Sequence, residues 1–444
     1  MTTIQFGTDG IRGKAGQAPI DAPSLYRIGR AAAAMAGANA EIITGRDTRA
    51  SGPALETALA QGLADGGAHV RLGGVVPSAA VGLAVRRRGA ALGVMLTASH
   101  NPARDNGVKF FGRHGDKLDM AGQSALQQRI NAMPAKAKTH IPEGTIEQTG
   151  AIADIYGDAV RAAAKASSLK GLSLVLDCAN GAASALAPQL LHALGADVTP
   201  LYAAPDGANI NRKCGSTAPQ SMQQKVVQIN ADAGIAFDGD ADRVVMADET
   251  GALIDGDQML ACLARDWMSR GRLRGQAVVA TQMSNLGLEH FLHGLGLTLE
   301  RTAVGDRYVA QRMNETGANL GGEQSGHLRL PDLCPTGDGL MAALAALQVL
   351  AASGQPASRV LRPFVPVPQF LRNVPRPNCA DPLAAGGVRQ AIAGAENLLG
   401  ARGRLLVRPS GTEPLIRIMA ECEDQNLAQD AIAGVAEALA SLSG

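Results

Sequence analysis

One pattern recurs three times in this chain and limits the folds open to it. An apolar strand ends in a polar turn, a helix follows, and a glycine-marked turn leads into a second strand. Such a unit needs a crossover connection, which is right-handed and makes the two strands parallel. The pattern therefore predicts three related α/β domains with mixed, mostly parallel sheets. The first strands of the three copies are residues 41–45, 173–176 and 276–281.

The end of the chain departs from this pattern. Five prolines lie between residues 363 and 377. Because proline fixes φ and lacks an N–H group, this segment is predicted to be a linker with extended pieces. Beyond it, the order helix, strand, strand, helix predicts a smaller C-terminal α+β domain. With a polar linker at 133–150 and a boundary near residue 250, the predicted domains are residues 1–150, 151–250, 251–365 and 366–444.

The charge balance excludes two classes of partner. Lys and Arg number 41 against 40 Asp and Glu, so we predict neither a nucleic-acid surface nor a polybasic membrane surface. The N-terminus shows no basic segment followed by an apolar one, and the most apolar helical run, residues 340–352, is too short to span a bilayer. Six cysteines form no CxxC pair, which is typical of reduced thiols. We therefore predict a cytoplasmic protein.

A serine loop follows a predicted buried strand. The apolar run 90–96 leads into TASHNP, residues 97–102, in which the Asn-Pro pair closes a turn. Ser99 thus lies at the carboxyl end of a strand, where α/β folds place their chemistry. For this motif alone, an ordinary serine in a turn is the alternative.

Two basic residues are further candidates. Lys109 follows Ser99 by ten residues and stands beside the apolar pair Phe110 and Phe111, which we expect to desolvate the amine and lower its pKa. Arg12 lies in the segment GTDGIRG, whose glycine spacing does not match a dinucleotide-binding fingerprint. Arg12 is instead a candidate phosphate contact.

An acidic loop follows another apolar strand. Asp238, Asp240 and Asp242 alternate in DGDADR, and three carboxylates that face one another without a cation would repel. Oxygen ligands of this kind select a hard cation, Mg²⁺ or Ca²⁺. A solvated acidic turn is one alternative. An EF-hand is another, because Glu249 stands twelfth from Asp238, but Arg243 occupies the sixth position, where that loop needs glycine.

A candidate phosphate-binding loop lies in the C-terminal domain, where RPSGTEP follows a predicted strand. Glycine allows the backbone to turn and present N–H groups, and the serine and threonine hydroxyls add hydrogen-bond donors. The planar guanidinium group of arginine can donate two parallel hydrogen bonds to a phosphate dianion. A polar hairpin turn is the alternative. The candidate ligands are Arg408, Ser410, Gly411, Thr412 and Arg417.

The glycine-rich loop GEQSGH is a candidate sugar-binding loop. Glu323 and Ser325 alternate and so share one face, from which both can hydrogen-bond neighbouring hydroxyls. His327 can donate to a phosphate or move a proton. A surface turn is the alternative for this motif alone.

Taken together, these loops resemble those of the α-D-phosphohexomutases. The motifs TASHNP, DGDADR, GEQSGH and RPSGTEP occur in that family's order, and the resemblance covers the full chain. Four further stretches, FGTDGIRG, DCANGA (177–182), NINRKCGST (209–217) and VGDRYV (304–309), resemble the branch of the family that acts on glucosamine phosphates. Gln324 agrees with that branch, since relatives acting on mannose or glucose phosphates more often have methionine there.

The resemblance implies four domains around a central cleft and a phosphoserine at Ser99. It implies one Mg²⁺ per chain, held by Ser99, Asp238, Asp240 and Asp242. The phosphoryl group would pass between Ser99 and a small-molecule hexosamine phosphate through a 1,6-bisphosphate, and the product would feed UDP-N-acetylglucosamine and cell-wall synthesis. Glucosamine or glucose 1,6-bisphosphate is the implied activator, and the resemblance allows a homodimer. The candidate residues for proton transfer are Lys109, His100, Arg12 and His327.

Three other functions share parts of this pattern. A mutase for glucose or mannose phosphates would use the same scaffold, and kcat/KM values for the three hexose 6-phosphates distinguish it. A Mg²⁺-dependent phosphatase would transfer phosphate from Ser99 to water without isomerisation. A non-catalytic protein that binds calcium or sugar phosphates would show binding without turnover.

Overall fold

The computed structural model describes residues 3–7, 9–133, 144–164, 168–410 and 414–442. The chain forms two compact units. Unit 1 comprises Met1–Thr281 and Glu300–Pro363, and unit 2 comprises Gln282–Leu299 and Phe364–Gly444. Residues 134–143 of the predicted linker lie outside the described residues.

The first sheet of unit 1 carries the serine loop. The elements of this part are β1 (Ile11–Lys14), α1 (Ala22–Ala36), β2 (Glu41–Arg46), α2 (Gly52–Asp65), β3 (His69–Val75), α3 (Ser78–Arg88), β4 (Leu92–Leu96), β5 (Asp105–Phe111), α4 (Met120–Ala132) and β6 (Ile146–Gln148). The strands follow the order β1-β5-β4-β2-β3-β6. β2 pairs in parallel with β3 and β4, as the crossover pattern predicts, whereas β5 runs antiparallel to β4 and β1. Leu25 of α1, Leu59 of α2 and Val94 of β4 belong to one buried cluster, so the helices are held by their apolar sides.

The second sheet of unit 1 carries the acidic loop. The elements of this part are α5 (Ala151–Ala164), β7 (Ser173–Asp177), α6 (Leu186–Ala193), β8 (Asp197–Leu201), α7 (Gln220–Ile229), β9 (Ala233–Phe237), β10 (Val244–Asp248) and β11 (Leu253–Ile254). The strands follow the order β11-β10-β9-β7-β8. β7 is parallel to β8 and β9, and β10 turns back antiparallel to β9. The acidic loop is therefore the tight connection between β9 and β10.

The last part of unit 1 carries the glycine-rich loop. Its elements are α8 (Gly256–Ser269), β12 (Ala277–Thr281), β13 (Thr298–Thr302), α10 (Asp306–Thr316), β14 (Gly321–Gly322), β15 (Leu328–Arg329), α11 (Gly339–Ser353) and α12 (Ala357–Val360). After β12 the chain passes through unit 2, which contains α9 (Leu286–Gly294) and the first two residues of β13, and it returns to unit 1 at Glu300. β12 is parallel to β14, and β14 is antiparallel to β15.

Unit 2 contains the predicted small α+β domain. Its remaining elements are β16 (Gln369–Pro375), α13 (Gly386–Leu399), β17 (Gly403–Pro409), β18 (Leu415–Cys422) and α14 (Gln425–Ala440), with short 3-10 turns at Pro382–Ala384 and Gly400–Arg402. β18 lies between β16 and β17 and is antiparallel to both. Val388 of α13, Ile418 of β18 and Val435 of α14 are fully buried in one cluster, so both helices pack on this sheet. β16 is one of the extended pieces predicted for the proline-rich segment.

Glycines end the helices of the three repeated units. Gly67, Gly195 and Gly296 follow α2, α6 and α9 and have φ angles of 85°, 98° and 75°. A residue with a Cβ is strained in this left-handed conformation. The glycines that mark the turns in the sequence pattern are therefore needed for the backbone to adopt a positive φ there. The parallel pairs of β2 with β3 and of β7 with β8 confirm the first two predicted units.

The most apolar helix, α11, is a core helix as predicted. Asp338 caps it by accepting hydrogen bonds from the N–H groups of Leu340 and Met341. Leu344 is 1% exposed, and Leu347 is fully buried. In the part of the chain that the structure describes, no helix has both the length and the apolar character to cross a membrane.

Candidate active site

Ser99 lies in the loop between β4 and β5. Its φ angle is 52°, a left-handed conformation that costs a non-glycine residue about 1–3 kcal/mol. Its N–H donates to Thr97 Oγ1 at 2.9 Å, and its Oγ donates to Asp238 Oδ2 at 2.6 Å. His100 Nδ1 lies 3.3 Å from the same Oγ, and burial, together with two nearby arginines, lowers the pKa of His100 to about 4. Ser99 is 1% exposed, so its hydroxyl faces the acidic loop and not bulk solvent.

The acidic loop is buried between two strands. Asp238, Asp240 and Asp242 are each at most 2% exposed, and one oxygen from each carboxylate lies within 4.8 Å of the others. This burial contradicts the solvated-turn alternative. β9 and β10 flank the loop where an EF-hand has helices, which contradicts the second alternative.

The acidic loop fits a hard cation. Burial and the charges of Asp240 and Asp242 raise the pKa of Asp238 to about 8, as expected of like charges confined together. Ser78 Oγ donates to Asp240 Oδ2. Among the described residues, Asp240 Oδ1 is buried and has no hydrogen-bond partner. A cluster of oxygens that includes the unpaired Asp240 Oδ1 suits Mg²⁺, which binds carboxylates and leaves positions for a phosphate and water.

Lys109 of β5 lies against the acidic loop. Its Nζ is 2.6 Å from Asp240 Oδ2, 2.7 Å from Asp242 Oδ2 and 3.2 Å from Asp9 Oδ2. Burial opposes its charge, but the three carboxylates raise the pKa of Lys109 well above its usual value. The expected lowering of this pKa is therefore wrong. Phe110, the next residue on the strand, points to the opposite face and packs in the core, so it does not isolate the amine from charge.

A second set of charges surrounds the acidic loop. Lys117 Nζ lies 3.0 Å from Asp9 Oδ1 and 3.3 Å from Asp306 Oδ2. His327 Nε2 lies 3.1 Å from Asp306 Oδ1, and its Nδ1 lies 3.5 Å from Asp242 Oδ1. Burial disfavours a charged imidazole, but these two carboxylates raise the pKa of His327 to about 9. Sequence reasoning missed Asp9 and Asp306, although both stand inside motifs noted above, and no pattern marks Lys117.

Arg12 of β1 also reaches the serine loop. Its Nη1 donates to Ala98 O at 3.4 Å, and its Nη2 donates to Asp9 Oδ2 at 2.8 Å. The Arg12 side chain is 24% exposed, so part of the guanidinium faces solvent. The structure therefore places Arg12 next to the serine loop, and its contact with a phosphate stays a prediction.

The glycine-rich loop joins β14 to β15. The N–H of Glu323 donates to His327 O at 3.0 Å, and the N–H of Gly305 donates to Glu323 Oε1 at 3.1 Å. Gly326 has a φ of 88°, and a Cβ there would lie 1.9 Å from Val244 O. Only glycine therefore lets this loop pack against the first residue of β10, directly after the acidic loop.

A cavity of about 840 Å³ in unit 1 joins the glycine-rich loop to the end of the acidic loop, and among its described lining residues none belongs to the serine loop. Its volume lies within the usual range of small-molecule sites. The cavity brings the predicted sugar-binding residues together with the acidic loop and its charged neighbours. Its lining includes Asp9, Lys117, Asp242, Arg243, Asp306, Tyr308, Glu323, Ser325, His327 and Arg329.

The predicted phosphate-binding residues lie in unit 2. Arg408 of β17 and Arg417 of β18 stand directly opposite each other in an antiparallel pair. Burial and the charge of Arg417 lower the pKa of Arg408. Two facing guanidinium groups of this kind favour an anion between them. The N–H of Ser410 donates to Leu415 O at 2.8 Å, whereas Gly411 and Thr412 lie outside the described residues.

Models of the phosphoglucomutase/phosphomannomutase family match four successive parts of the chain. The alpha/beta/alpha domains I, II and III match residues 3–136, 154–251 and 255–366. The C-terminal domain of the same family matches residues 371–438. The four matches follow one another in the family's domain order.

Individual relatives match over nearly the whole chain. A phosphoglucosamine mutase from Ruegeria pomeroyi is 50% identical over 440 residues, which cover 98% of this chain and 98% of the relative. One from Granulibacter bethesdensis is 50% identical over 427 residues, which cover 95% and 93%. The crystal structure of a phosphoglucomutase/phosphomannomutase family protein from Burkholderia thailandensis superimposes with a TM-score of 0.82 at 26% identity, covering 98% of this chain and 97% of that chain.

Proposed function

Because the chain belongs to the phosphoglucomutase/phosphomannomutase family, we propose that it interconverts glucosamine 6-phosphate and glucosamine 1-phosphate. It is an isomerase, an intramolecular phosphotransferase. The observation that carries this conclusion is the hydrogen bond from the buried Ser99 Oγ to Asp238 in the acidic loop. A serine beside a cation site is placed to carry a phosphoryl group, because such a group needs positioning and charge neutralisation more than a general base.

Two phosphoryl transfers through Ser99 complete the reaction. In the first, the bond from phosphorus to Ser99 Oγ breaks, a bond to the C1 oxygen of glucosamine 6-phosphate forms, and the C1 hydroxyl proton passes to the site. The resulting 1,6-bisphosphate then reorients within the site, so that its C6 phosphate takes the place of its C1 phosphate beside Ser99. In the second transfer, the C6 phosphoryl group passes to Ser99 Oγ, and the C6 oxygen takes up the proton. Each cycle therefore releases glucosamine 1-phosphate and restores the phosphoserine.

Asp238, Asp240, Asp242 and an oxygen of Ser99 or its phosphate would hold one Mg²⁺ per chain. The support for this is the burial of the three carboxylates and the unpaired Asp240 Oδ1. When bound, Mg²⁺ neutralises charge on the phosphoryl group in transit. Lys109 would share these carboxylates and keep the site close to electroneutral.

Four residues are proposed for proton transfer and phosphate positioning. Neighbouring carboxylates hold Lys109 and His327 as cations, which suits both to give a charged hydrogen bond. The pKa of His327, about 9, lies closer to neutral pH than that of Lys109, so His327 is the better proton donor of the two. His100 is neutral at pH 7 because its pKa is about 4, so one ring nitrogen carries a proton and the other does not, and its Nδ1 lies 3.3 Å from Ser99 Oγ. Arg12 has only donors and would position a phosphate.

Two loops are proposed to bind the substrate. Glu323 and Ser325 would hold the hydroxyls that both orientations of the bisphosphate share, because both side chains line the cavity. The loop of unit 2 would hold the phosphate that does not react, and the facing pair of Arg408 and Arg417 supports this. The proposed phosphate ligands are Arg408, Ser410, Gly411, Thr412 and Arg417.

The setting of the enzyme is also part of the proposal. We propose that it works in the cytoplasm on a small-molecule hexosamine phosphate and binds neither nucleic acid nor membrane. Glucosamine or glucose 1,6-bisphosphate would activate it by phosphorylating Ser99.

A homodimer, which sedimentation velocity would detect, is also proposed. The ranges matched by the four family models support the proposed domain boundaries near residues 150, 250 and 365.

A comparison of three substrates tests the proposed function. We expect kcat/KM to be highest for glucosamine 6-phosphate, with glucose 6-phosphate and mannose 6-phosphate as competitors and with free phosphate measured in parallel. A higher value for either competitor would assign the alternative mutase activity. Release of phosphate without isomerisation would indicate a phosphatase, and binding without turnover after phosphorylation of Ser99 would indicate a binding protein.

Arg408→Ala should weaken substrate docking. A charged hydrogen bond contributes roughly 1.5–3 kcal/mol, so we expect kcat/KM to fall about 10–150-fold. Arg402→Ala is the control, because Arg402 is an exposed arginine of the same unit outside the proposed loop. Steady-state kinetics on both variants test the docking role. Equal kcat/KM values for the two variants would contradict it.

A further inference from the structure

Two side chains from different parts of unit 1 hold the backbone of the serine loop. Arg49 lies between β2 and α2, and Asn211 lies between β8 and α7. Arg49 Nη2 donates to Ser99 O at 3.0 Å and to Asn101 O at 2.9 Å. Asn211 Nδ2 donates to the same two oxygens at 2.8 Å and 3.1 Å. Each carbonyl therefore accepts two N–H groups, the number that its lone pairs allow.

Arg49 is buried and uses every N–H group of its guanidinium. Its Nη1 donates to Pro102 O at 2.5 Å and to Asp105 O at 2.9 Å. Its Nε donates to Asp47 Oδ2 at 2.9 Å. One rigid fork thus organises the loop from Ser99 to Asp105. A lysine could not replace it, because an ammonium group presents its donors from a single point.

The acidic loop packs against the same point of the serine loop. A Cβ at Gly239 would lie 2.6 Å from Ser99 O and 2.8 Å from Asn211 Nδ2. Asn211 is itself held by its N–H, which donates to Ala179 O at 2.9 Å and so joins the NINRKCGST and DCANGA motifs. The carbonyl of Ser99 is therefore the point where the serine loop, the Asn211 loop and the acidic loop meet.

We propose that Arg49 and Asn211 are positioning residues that act as one clamp on Ser99 O and Asn101 O. The clamp holds Ser99 in its left-handed conformation, which directs Oγ toward Asp238. This inference rests on the proposed function, because it concerns the transfer through Ser99. Among the described residues that line the cavity, neither Arg49 nor Asn211 appears. Loss of the clamp should therefore lower kcat and leave KM unchanged.

Two variants and a matched control test the clamp. Asn211→Ala removes the amide from a partly exposed position, and Arg49→Lys keeps the charge but breaks the fork. A misplacement of about 1 Å costs on the order of 10²-fold, so we expect kcat to fall about 10–100-fold with KM within about two-fold of wild type. Asn209→Ala is the control, because Asn209 belongs to the same loop but its Nδ2 donates to Ala204 O. If thermal melting shows that Arg49→Lys is not folded at the assay temperature, Asn211→Ala alone tests the clamp.

A half-reaction separates this inference from the proposed function. Glucose 1,6-bisphosphate phosphorylates Ser99, whichever hexose phosphate the complete enzyme prefers. One of its sugar O–P bonds breaks, the bond from phosphorus to Ser99 Oγ forms, and the Ser99 hydroxyl proton passes to the sugar oxygen that leaves. Intact mass measures the rate. We expect Asn211→Ala to slow this step as much as it lowers kcat. The double variant should lose less than the product of the two single losses, because both side chains act on the same oxygens.

The outcomes are distinguishable. The clamp would be overturned if Asn211→Ala left kcat and the phosphorylation rate unchanged, or if Asn209→Ala lowered them equally. It would also be overturned if the losses of the two single variants multiplied in the double variant. A rise in KM at constant kcat would also overturn it. A wild-type chain that is phosphorylated but does not isomerise glucosamine phosphates would overturn the proposed function alone. A wild-type chain that takes up no phosphate would overturn both.

Discussion

Ser99→Ala is expected to abolish turnover while leaving the fold intact. The substitution removes the oxygen that carries the phosphoryl group, so the loss of kcat should be on the order of 10³-fold or more. The fold should survive, because the substitution removes one hydrogen bond to Asp238, worth about 1–3 kcal/mol. The backbone hydrogen bonds from Arg49 and Asn211 to Ser99 O remain.

Three measurements on this variant check the prediction. Coupled assay of glucosamine 1-phosphate formation gives kcat, thermal melting gives Tm, and intact mass after treatment with glucose 1,6-bisphosphate reports phosphorylation. The variant should melt near the wild-type Tm and gain no phosphate. Ser269→Ala is a matched control, since the Ser269 hydroxyl bonds to Asp266 O at the exposed end of α8. Turnover of the Ser99 variant at the level of this control would refute the phosphoserine mechanism.

Removal of the divalent cation, or of one of its carboxylates, is expected to have the second-largest effect. A bound metal supplies several kcal/mol of charge stabilisation, which corresponds to a loss on the order of 10³-fold in kcat when it is removed. Asp240→Asn keeps the shape of the side chain but removes a charge from the acidic loop. It also removes one of the charges that raise the pKa of Asp238.

A direct measure of binding accompanies the rate. Wild-type protein stripped with EDTA should regain activity with Mg²⁺, and Mg²⁺ should raise its Tm because it binds the folded state. Asp240→Asn should lose both responses. Asp197→Asn, at the exposed start of β8, should keep both. The metal assignment fails if Asp240→Asn retains wild-type kcat together with the Mg²⁺-dependent rise in Tm.

The fold class and the loops that bear the chemistry were predictable because both depend on local patterns. Alternating strands and helices with glycine turns require parallel sheets, and the carboxyl ends of such strands hold the polar loops. The serine loop follows β4 and the acidic loop follows β9, as expected. The hydrogen bond of 2.6 Å between Ser99 and Asp238 joins these two loops across 139 positions of the chain.

The protonation of Lys109 shows where local reasoning fails. Its neighbours in sequence, Phe110 and Phe111, suggested a desolvated amine with a lowered pKa. The pKa is raised, because the tertiary fold brings carboxylates from 131 and 133 positions away to within hydrogen-bonding distance. Strand alternation turns Phe110 away from the amine. Coulomb attraction in a buried site therefore outweighs the effect that the sequence neighbours suggested.

By itself, the sequence determined which loops carry the serine, the acidic cluster and the glycine-rich turn, because turn chemistry and hydrophobic periodicity act over a few residues. Only the tertiary structure decided which groups surround Ser99 and in what state. Arg49 and Asn211 reach its carbonyl from 50 and 112 positions away. Contacts at such separations depend on how one sheet packs against another, and the local spacing of residues does not encode that packing.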